Sequence, residues 1–218
     1  RMHLQSFTFN PFFENTYLLW DDKGGAAIID PGMYDEDEEQ SIVDFVKQNQ
    51  LRLRHNLNTH AHLDHVFGND FIHRQFGLYP VIHAAAQPVL EAMPQYAQMF
   101  GVQARPSPEP IVALEDGGTY HVGQIELELA HTPGHAPGHV VLFHRPSKTL
   151  LGGDMLFAGS IGRVDLPGAD PAAMERSLKN VILHFPDDTT VYPGHGPSTT
   201  LGQERQANPF LQPGARLS

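Results

Sequence analysis

An α/β fold in stacked layers is what the sequence predicts, and three observations carry the prediction. Apolar β-type segments are followed by helical ones, and this succession occurs twice along the chain. Residues able to do chemistry stand singly beside glycine where apolar β sequence gives way to turns, which is where a rigid scaffold presents functional groups. A chain of 218 residues also buries roughly 70% of its unfolded surface, so a layered core needs no covalent staples.

The elements follow in order. Residues 3–9 alternate polar and apolar and predict a half-buried strand. Asn10-Pro11 turns the chain toward a second strand at 17–20. Residues 21–25 have hairpin composition, and 26–29 read as a buried strand ending in Asp30-Pro31-Gly32. Residues 35–49 predict a helix: Ile42, Val43 and Val46 share a face, and acids crowd the first turn, where the helix dipole favours them. That acidic run is read as a solvated helix start and not as a cation site. A strand at 51–57 leads into a His-rich turn at 59–65 and a helix to about Phe76. Val81-Ile82 is a short strand. Residues 84–104 are helical but interrupted at Pro88 and Pro94, and Pro106, Pro108 and Pro110 stiffen the connector after them. Short strands are expected at 119–122, 124–130, 139–144 and 148–152. An amphipathic helix at 171–184 begins on proline, a last strand covers 189–192, and the tail from Thr199 holds one helical turn. No repeat, low-complexity stretch or linker interrupts the sequence, which is expected to form one domain over residues 1–218.

Composition excludes several classes. The net charge is −11, from 25 acids and 14 Lys and Arg, which argues against nucleic acid as a partner because phosphate binding needs a cationic surplus. With no cysteine there is no disulfide, thiolate metal site, iron–sulfur cluster or Cys nucleophile. No stretch reaches the roughly 18 apolar residues of a membrane span, and the first residues lack a signal pattern. No membrane partner and a cytoplasmic location are therefore the expectation. The outlier is histidine, at 14 residues.

Three of these histidines and an aspartate fall within six residues, as His60, His62, Asp64 and His65. On an extended strand end, His60 and His62 point to the same side. A helix beginning near Asp64 would project Asp64 and His65 from its first turn toward the same space. Imidazoles with a carboxylate and no sulfur suit zinc, and also iron or manganese. Three further ligands follow strands: His135 after Thr132-Pro133-Gly134, Asp154 after Gly152-Gly153, and His195 between Gly194 and Gly196. Glycine at these points lets the backbone approach a crowded site. Seven ligands exceed one tetrahedral ion and fit two. His60, His62 and His135 would hold the first, Asp64, His65 and His195 the second, with Asp154 bridging. Two divalent cations about 3.5–4 Å apart share and acidify a water, giving hydroxide near neutral pH.

At these residues the sequence resembles the metallo-β-lactamase superfamily, whose signature is His-x-His-x-Asp-His followed by separate His, Asp and His. The Asp30-Pro31-Gly32 turn also matches the family, where this Asp supports the ligand turn from behind. The resemblance implies an α/β fold, the four-layer αββα sandwich of the metallo-β-lactamase fold. Within the superfamily, residues 132–139, 153–154, 160–168, 193–202 and 208–212 look most like single-domain type II glyoxalases, the hydroxyacylglutathione hydrolases. The larger members carry a C-terminal helical domain whose basic residues grip glutathione. Only a short tail follows His195 here, so the resemblance leaves glutathione recognition open. The superfamily's β-lactamases usually lack the bridging Asp or use a Cys ligand, which points away from that activity. Persulfide dioxygenases use one iron and tend to carry Cys in place of His139 and Ala-His in place of Gly194-His195, so both positions favour a hydrolase.

The expected activity is hydrolysis of an activated acyl bond in a small-molecule substrate, a thioester such as a hydroxyacyl-glutathione. The metal-bridged hydroxide would attack the carbonyl, Asp64 would orient it as the catalytic residue while binding the second metal, and a metal would receive the soft thiolate. The cofactors would be two divalent ions, zinc first, with iron or manganese as alternatives. The rival readings are a mononuclear iron persulfide dioxygenase, and a lactonase or phosphodiesterase on the same two-metal site. His139 is expected to support the site without ligating. His3, His55, His73, His83, His121, His131, His144 and His184 are expected on the surface or in packing. Arg163 and Asp165 read as an ion pair bracing the loop after Asp154, with substrate contact as the alternative. Phe12, Phe13, Met93, Tyr96, Met99 and Phe100 are open to three roles: a lid over the metals, a homodimer contact or core packing. No motif encodes the acyl group, the native metal or the oligomeric state.

Overall fold

A three-stranded meander starts the first sheet. In the computed structural model, which describes residues 1–217, β1 (His3–Phe9), β2 (Glu14–Trp20) and β3 (Gly25–Ile29) run antiparallel, with Phe9 opposite Glu14 and Tyr17 opposite Ile29. α1 (Glu36–Gln48) crosses over to β4 (Arg52–Leu57), which joins β3 in parallel. The next crossover, through α2 (Leu63–Val66) and α3 (Asn69–Phe76), leads to β5 (Pro80–Ile82). A third, through α4 (Gln87–Glu91) and α5 (Met93–Phe100), reaches the edge strand β6 (Ile111–Val112). Parallel neighbours require such long connections, so the β-then-helix succession in the sequence has its structural cause here.

The second sheet repeats the plan. β7 (Thr119–Val122), β8 (Ile125–His131), β9 (Val140–His144) and β10 (Thr149–Gly153) are antiparallel neighbours. A small hairpin of β11 (Leu156–Phe157) and β12 (Ser160–Ile161) precedes α6 (Pro171–Asn180). β13 (Thr190–Pro193) then pairs in parallel with β10, β14 (Thr199–Thr200) closes that edge, and α7 (Leu201–Ala207) follows.

Alternation along the strands builds the layers. Tyr17, Leu19, Ala27, Ile29 and Leu57 meet Leu127, Leu129, Val140, Leu142 and Leu151 between the sheets. Their neighbours Leu18, Ala26 and Ile28 face Ile42 and Val46 of α1 and Ile72 of α3. On the far side Val141, Phe143, Leu150 and Val191 face Met174 and Leu178 of α6 and Leu201 of α7. Each fully enclosed aliphatic side chain contributes about 1.5–3 kcal/mol, so the layers stand without cysteine. This is the expected αββα sandwich of the metallo-β-lactamase fold. Among the described residues no helix is long and apolar enough to cross a membrane.

Some elements differ from expectation for identifiable reasons. The helix expected up to Phe76 is divided at Gly68, whose amide donates to Pro31 O at 2.8 Å. A Cβ there would lie 2.8 Å from Met33 Cε and 2.9 Å from Pro31 O, so the break seats the junction on the Asp30-Pro31 turn. The stretch 84–104 is helical in pieces as expected, and Pro88 and Pro94 stand in the first turns of α4 and α5, where no amide donor is needed. β2 starts at Glu14, three residues before the expected Tyr17, and its early residues are buried and polar. The tail helix runs over seven residues, with Thr200 accepting from the Gln203 amide.

Candidate metal centre

Every sequence-predicted ligand reaches one end of the sandwich, where strands of both sheets stop. Past β4 the chain stays extended through His62, which caps α2 with φ −61° and ψ 148°, so His60 and His62 share a side and Asp64 and His65 project from the helix start. Asp30 holds this turn from behind, at φ 53°. Its Oδ1 accepts from the Thr59 amide at 2.7 Å, and Oδ2 accepts from Thr59 Oγ1 at 2.6 Å and lies 2.9 Å from His65 Nδ1. His65 Nδ1–H therefore points at Asp30, and Nε2 is left facing the centre. His135 is fixed in the same sense, with Nδ1 2.7 Å from Arg163 O.

Asp154 follows β10 and occupies the middle. Its Oδ2 lies 3.1 Å from His65 Nε2, 3.3 Å from His135 Nε2, 3.5 Å from His195 Nε2 and 3.6 Å from His60 Nε2. His62 Nδ1 is 3.1 Å from His135 Nε2, and Asp64 Oδ2 is 2.9 Å from His195 Nε2. The loop carrying His195 can approach only because residue 194 is glycine: a Cβ there would overlap the Asp154 carboxylate. His139 supports and does not ligate. Its Nδ1 bonds Thr132 Oγ1 at 2.9 Å and its Nε2 accepts the Asp154 amide at 3.1 Å, so neither nitrogen is free.

Burial and charge divide the histidines. Burial, with the neighbouring His65, drives His60 down to about 3. Burial also sends His62 and His139 well below the usual imidazole value, with His60 and His135 adding to it. All three rings are neutral, as His60 and His62 must be to bind a cation. Burial would lower His65 as well, but Asp154, Asp64 and Asp30 outweigh it and raise this ring well above its usual value. His195 rises to about 9 because Asp154 and Asp64 overcome its burial. The same attractions, from His65 and His195, outweigh burial at Asp64 and bring it to about 2.

Two donor groups fit a cation: His60, His62 and His135, and Asp64, His65, Asp154 and His195, with the ligand atoms of each within 4.8 Å of one another. Asp30, His60 and His65 meet the same spacing, but Asp30 is already committed to Thr59 and His65 and is not a free ligand. His60 Nε2 and Asp154 Oδ1 are buried without a hydrogen-bond partner. An unmatched buried polar group costs about 1–3 kcal/mol, and at a neutral imidazole nitrogen facing carboxylates and imidazoles a cation relieves it.

A cleft of about 180 Å³ opens onto this centre. Phe12, Tyr96, Phe100 and Leu166 form its apolar walls, and Arg163 is the single Lys or Arg among its lining residues. The predicted Arg163–Asp165 pair is present as a two-pronged contact of 2.6 and 3.0 Å, while the Arg163 carbonyl orients His135. Of the apolar residues with open roles, Phe12, Tyr96 and Phe100 line the cleft, Met93 packs in the core, and Phe13 and Met99 are exposed at 73% and 56%.

The Metallo-beta-lactamase superfamily profile matches residues 9–195. The chain belongs to this superfamily. It is similar to a "Hydroxyacylglutathione hydrolase GloC" of Haemophilus influenzae, 34% identical over 96% of this chain and 98% of that protein. It is 39% identical to TTHA1623, solved in a di-iron-bound form, at a TM-score of 0.86 over 95% of this chain and 100% of that one. It is 33% identical to the BLEG-1 B3 metallo-beta-lactamase, at a TM-score of 0.85 over 96% and 100%. Family and donor groups together make the chain a metallohydrolase of this superfamily.

Several residues of this metallohydrolase carry no sequence signal of their role. Asn15 Nδ2 donates to Pro193 O at 3.1 Å and Gly196 O at 2.8 Å, and Tyr17 Oη donates to Pro193 O at 2.6 Å, so β2 holds the His195 loop. Asn10 Nδ2 donates to Gly32 O at 2.9 Å and Asp64 O at 3.0 Å. Glu14 is wholly buried beside His65, and burial lifts its carboxyl well above the usual range. An Asn, Tyr or Glu in a short apolar segment reads like any strand residue, and only the long-range contact shows its use.

Proposed function

We propose that the chain hydrolyses an activated acyl bond, a thioester such as a hydroxyacyl-glutathione, at two divalent cations. His60, His62 and His135 would hold one, Asp64, His65 and His195 the other, and Asp154 would bridge. The observation that carries this reading is Asp154 Oδ2, within 3.1–3.6 Å of four imidazole Nε2 atoms drawn from both groups. When bound, such a pair supplies an acidified water and polarises a carbonyl. The ions are zinc or iron, the second option being supported by the di-iron relative.

The chain's own residues account for the rest. Asp64 presents one carboxylate oxygen to His195 at 2.9 Å and lines the cleft, which suits it to hold and orient the attacking water. The aromatic walls exclude bulk water and receive the apolar parts of a small substrate. Apart from the proposed ligands, no free general acid lines the cleft among the described residues: Tyr96 Oη is engaged with Pro167 O at 3.2 Å and Arg163 with Asp165. A thiolate leaves without protonation, whereas an amine or simple alkoxide requires a proton, so the cleft favours thioesters. Similarity to the hydrolase of Haemophilus influenzae supports the same substrate class.

The test is kcat/KM for S-D-lactoylglutathione on zinc-loaded and iron-loaded protein, with His135→Ala as the blank. A value above roughly 10⁴ M⁻¹s⁻¹ is expected. A value equal to the blank refutes the thioester reading. β-Lactams, lactones and phosphodiesters, with oxygen uptake on a persulfide, then identify the reaction.

A further inference from the structure

Glu14 opens β2 and is 0% exposed, yet only half of its carboxyl is hydrogen-bonded. Oε2 accepts from Thr16 Oγ1 at 2.9 Å. Oε1 has no hydrogen-bond partner and lies 3.6 Å from His65 Nδ1. Buried acids are rare unless paired, and leaving one oxygen unmatched costs free energy, so its retention here asks for a role. His65 Nδ1 already faces Asp30 Oδ2 at 2.9 Å. One imidazole edge is therefore approached by two carboxyl groups, at unequal distances.

The main chain of Glu14 reaches the same ligand group by another route. Its backbone forms an isolated antiparallel bridge with His195, and the adjacent Asn15 amide donates to Gly194 O at 2.7 Å. Glu14 thus contacts His65 through its side chain and His195 through its backbone. No hydrogen bond or ion pair among the described residues joins it to His60, His62 or His135. Glu14 Oε2 occupies the space that a Cβ at position 32 would fill, so glycine there is what admits the carboxyl.

We propose that Glu14 is a positioning residue for the second cation alone, its carboxyl oxygen and its backbone keeping His65 and His195 at the spacing that ion requires. This rests on the two-ion reading of the centre. Supporting groups behind metal-bound histidines typically change affinity about 10–100-fold.

The experiment titrates the metal-free full chain with Co(II) against a competing chelator, following visible absorption. Hyperfine-shifted imidazole N–H resonances identify which group holds each ion. Wild-type protein that binds a single ion overturns the two-ion reading itself. With two ions bound, Glu14→Leu is expected to lose about 10–100-fold at the second site and to keep the first. Glu14→Gln retains the outline, with an acceptor oxygen facing His65 and an amide facing Thr16, and is expected to bind both ions as the wild type does. Glu14→Asp withdraws the carboxyl from His65 by one methylene; it is expected to behave like the Leu variant and replaces it should that variant fail to fold. Equal loss of both ions, unchanged affinity in the shortened variants, or a Gln variant as weak as they are overturns the proposal.

Discussion

Replacing Asp30 with Asn exchanges one heavy atom and reverses the direction of a hydrogen bond. Asp30 Oδ1 accepts the Thr59 amide at 2.7 Å, and Asn keeps that oxygen. The new NH2 falls where Oδ2 faced two donors, Thr59 Oγ1 at 2.6 Å and His65 Nδ1 at 2.9 Å. The threonine hydroxyl answers by rotating. The imidazole answers only by moving its proton to Nε2, which is the atom 3.1 Å from Asp154 Oδ2 and 3.5 Å from Asp64 Oδ2. A protonated Nε2 cannot ligate. Loss of such a supporting group costs about 10–100-fold in metal affinity, or about 1.4–2.8 kcal/mol. The loss falls on the ion held by His65. The ion at His60, His62 and His135 is affected less, through the 3.1 Å contact of His60 Nδ1 with Thr59 Oγ1. The metal-free fold loses one buried charge-assisted bond, about 1.5–3 kcal/mol, and keeps the Thr59 amide bond. Zinc calorimetry on Asp30→Asn, with melting in chelator as the stability control, checks both. Two ions bound with wild-type affinity would refute the tautomer argument.

Other outcomes follow from the same geometry. Asp154→Ala is expected to loosen both ions, because one oxygen faces both groups; metal analysis showing full occupancy and activity contradicts the bridging role. Gly194→Ala is expected to displace the Asp154 carboxylate and lower metal content while α/β secondary structure is kept, as read by elemental analysis and circular dichroism. Tyr96→Phe removes the bond to Pro167 O that ties α5 to the Arg163 loop; KM should rise with kcat little changed, and an unchanged KM argues against a wall role. The metal-free protein should melt progressively lower above about pH 6.5, while below it the depressed histidines are opposed by Glu14 and Asp30, whose raised carboxyls favour the folded chain as pH falls. Above that, His195 loses its stabilising proton as pH climbs through about 9, and His65, also raised by its carboxylate neighbours, adds to the loss. Below it, His60, depressed to about 3, and the buried His62 and His139 favour the unfolded chain, which protonates them first. A flat melting profile from about pH 5 to 9 contradicts these assignments.

The candidate ligand set is readable because each of its residues is tied to a local transition that sequence periodicity exposes. His60 and His62 alternate on an extended end, Asp64 and His65 open a helix, and Asp154 and His195 follow apolar strands with glycine beside them. Strand β1 and helix α1 were equally plain, since alternation and a capped, amphipathic run are local properties. What could not be read depends on contacts across the chain. Asn15 serves the His195 loop from 178 residues away, and nothing near it in sequence differs from an ordinary strand start. The early start of β2 was hidden for the same reason: Glu14, Asn15 and Thr16 are polar, yet they are buried by the site they support. The prolines of α4 and α5 were legible as breaks in the 84–104 stretch, because proline stops a helix in its interior and starts one at its first turn.

The protonation pattern also dictates how the centre fills. Without ions, the carboxylates of Asp30, Asp64 and Asp154 stand against protonated His65 and His195, while His60, His62 and His139 stay neutral. In the first group, His60 and His62 are held neutral by burial and offer their nitrogens at neutral pH. The other group must first release the protons of His65 and His195. On the proposed two-ion assignment, the second ion competes with the protons of His65 and His195, and its apparent affinity should rise about tenfold per pH unit for each proton displaced, up to about pH 9. Calorimetry in buffers of different ionisation enthalpy counts those protons. Release on the second binding event and little on the first is the expected result. Equal release in both would mean that the two groups do not differ as their carboxylate neighbours require.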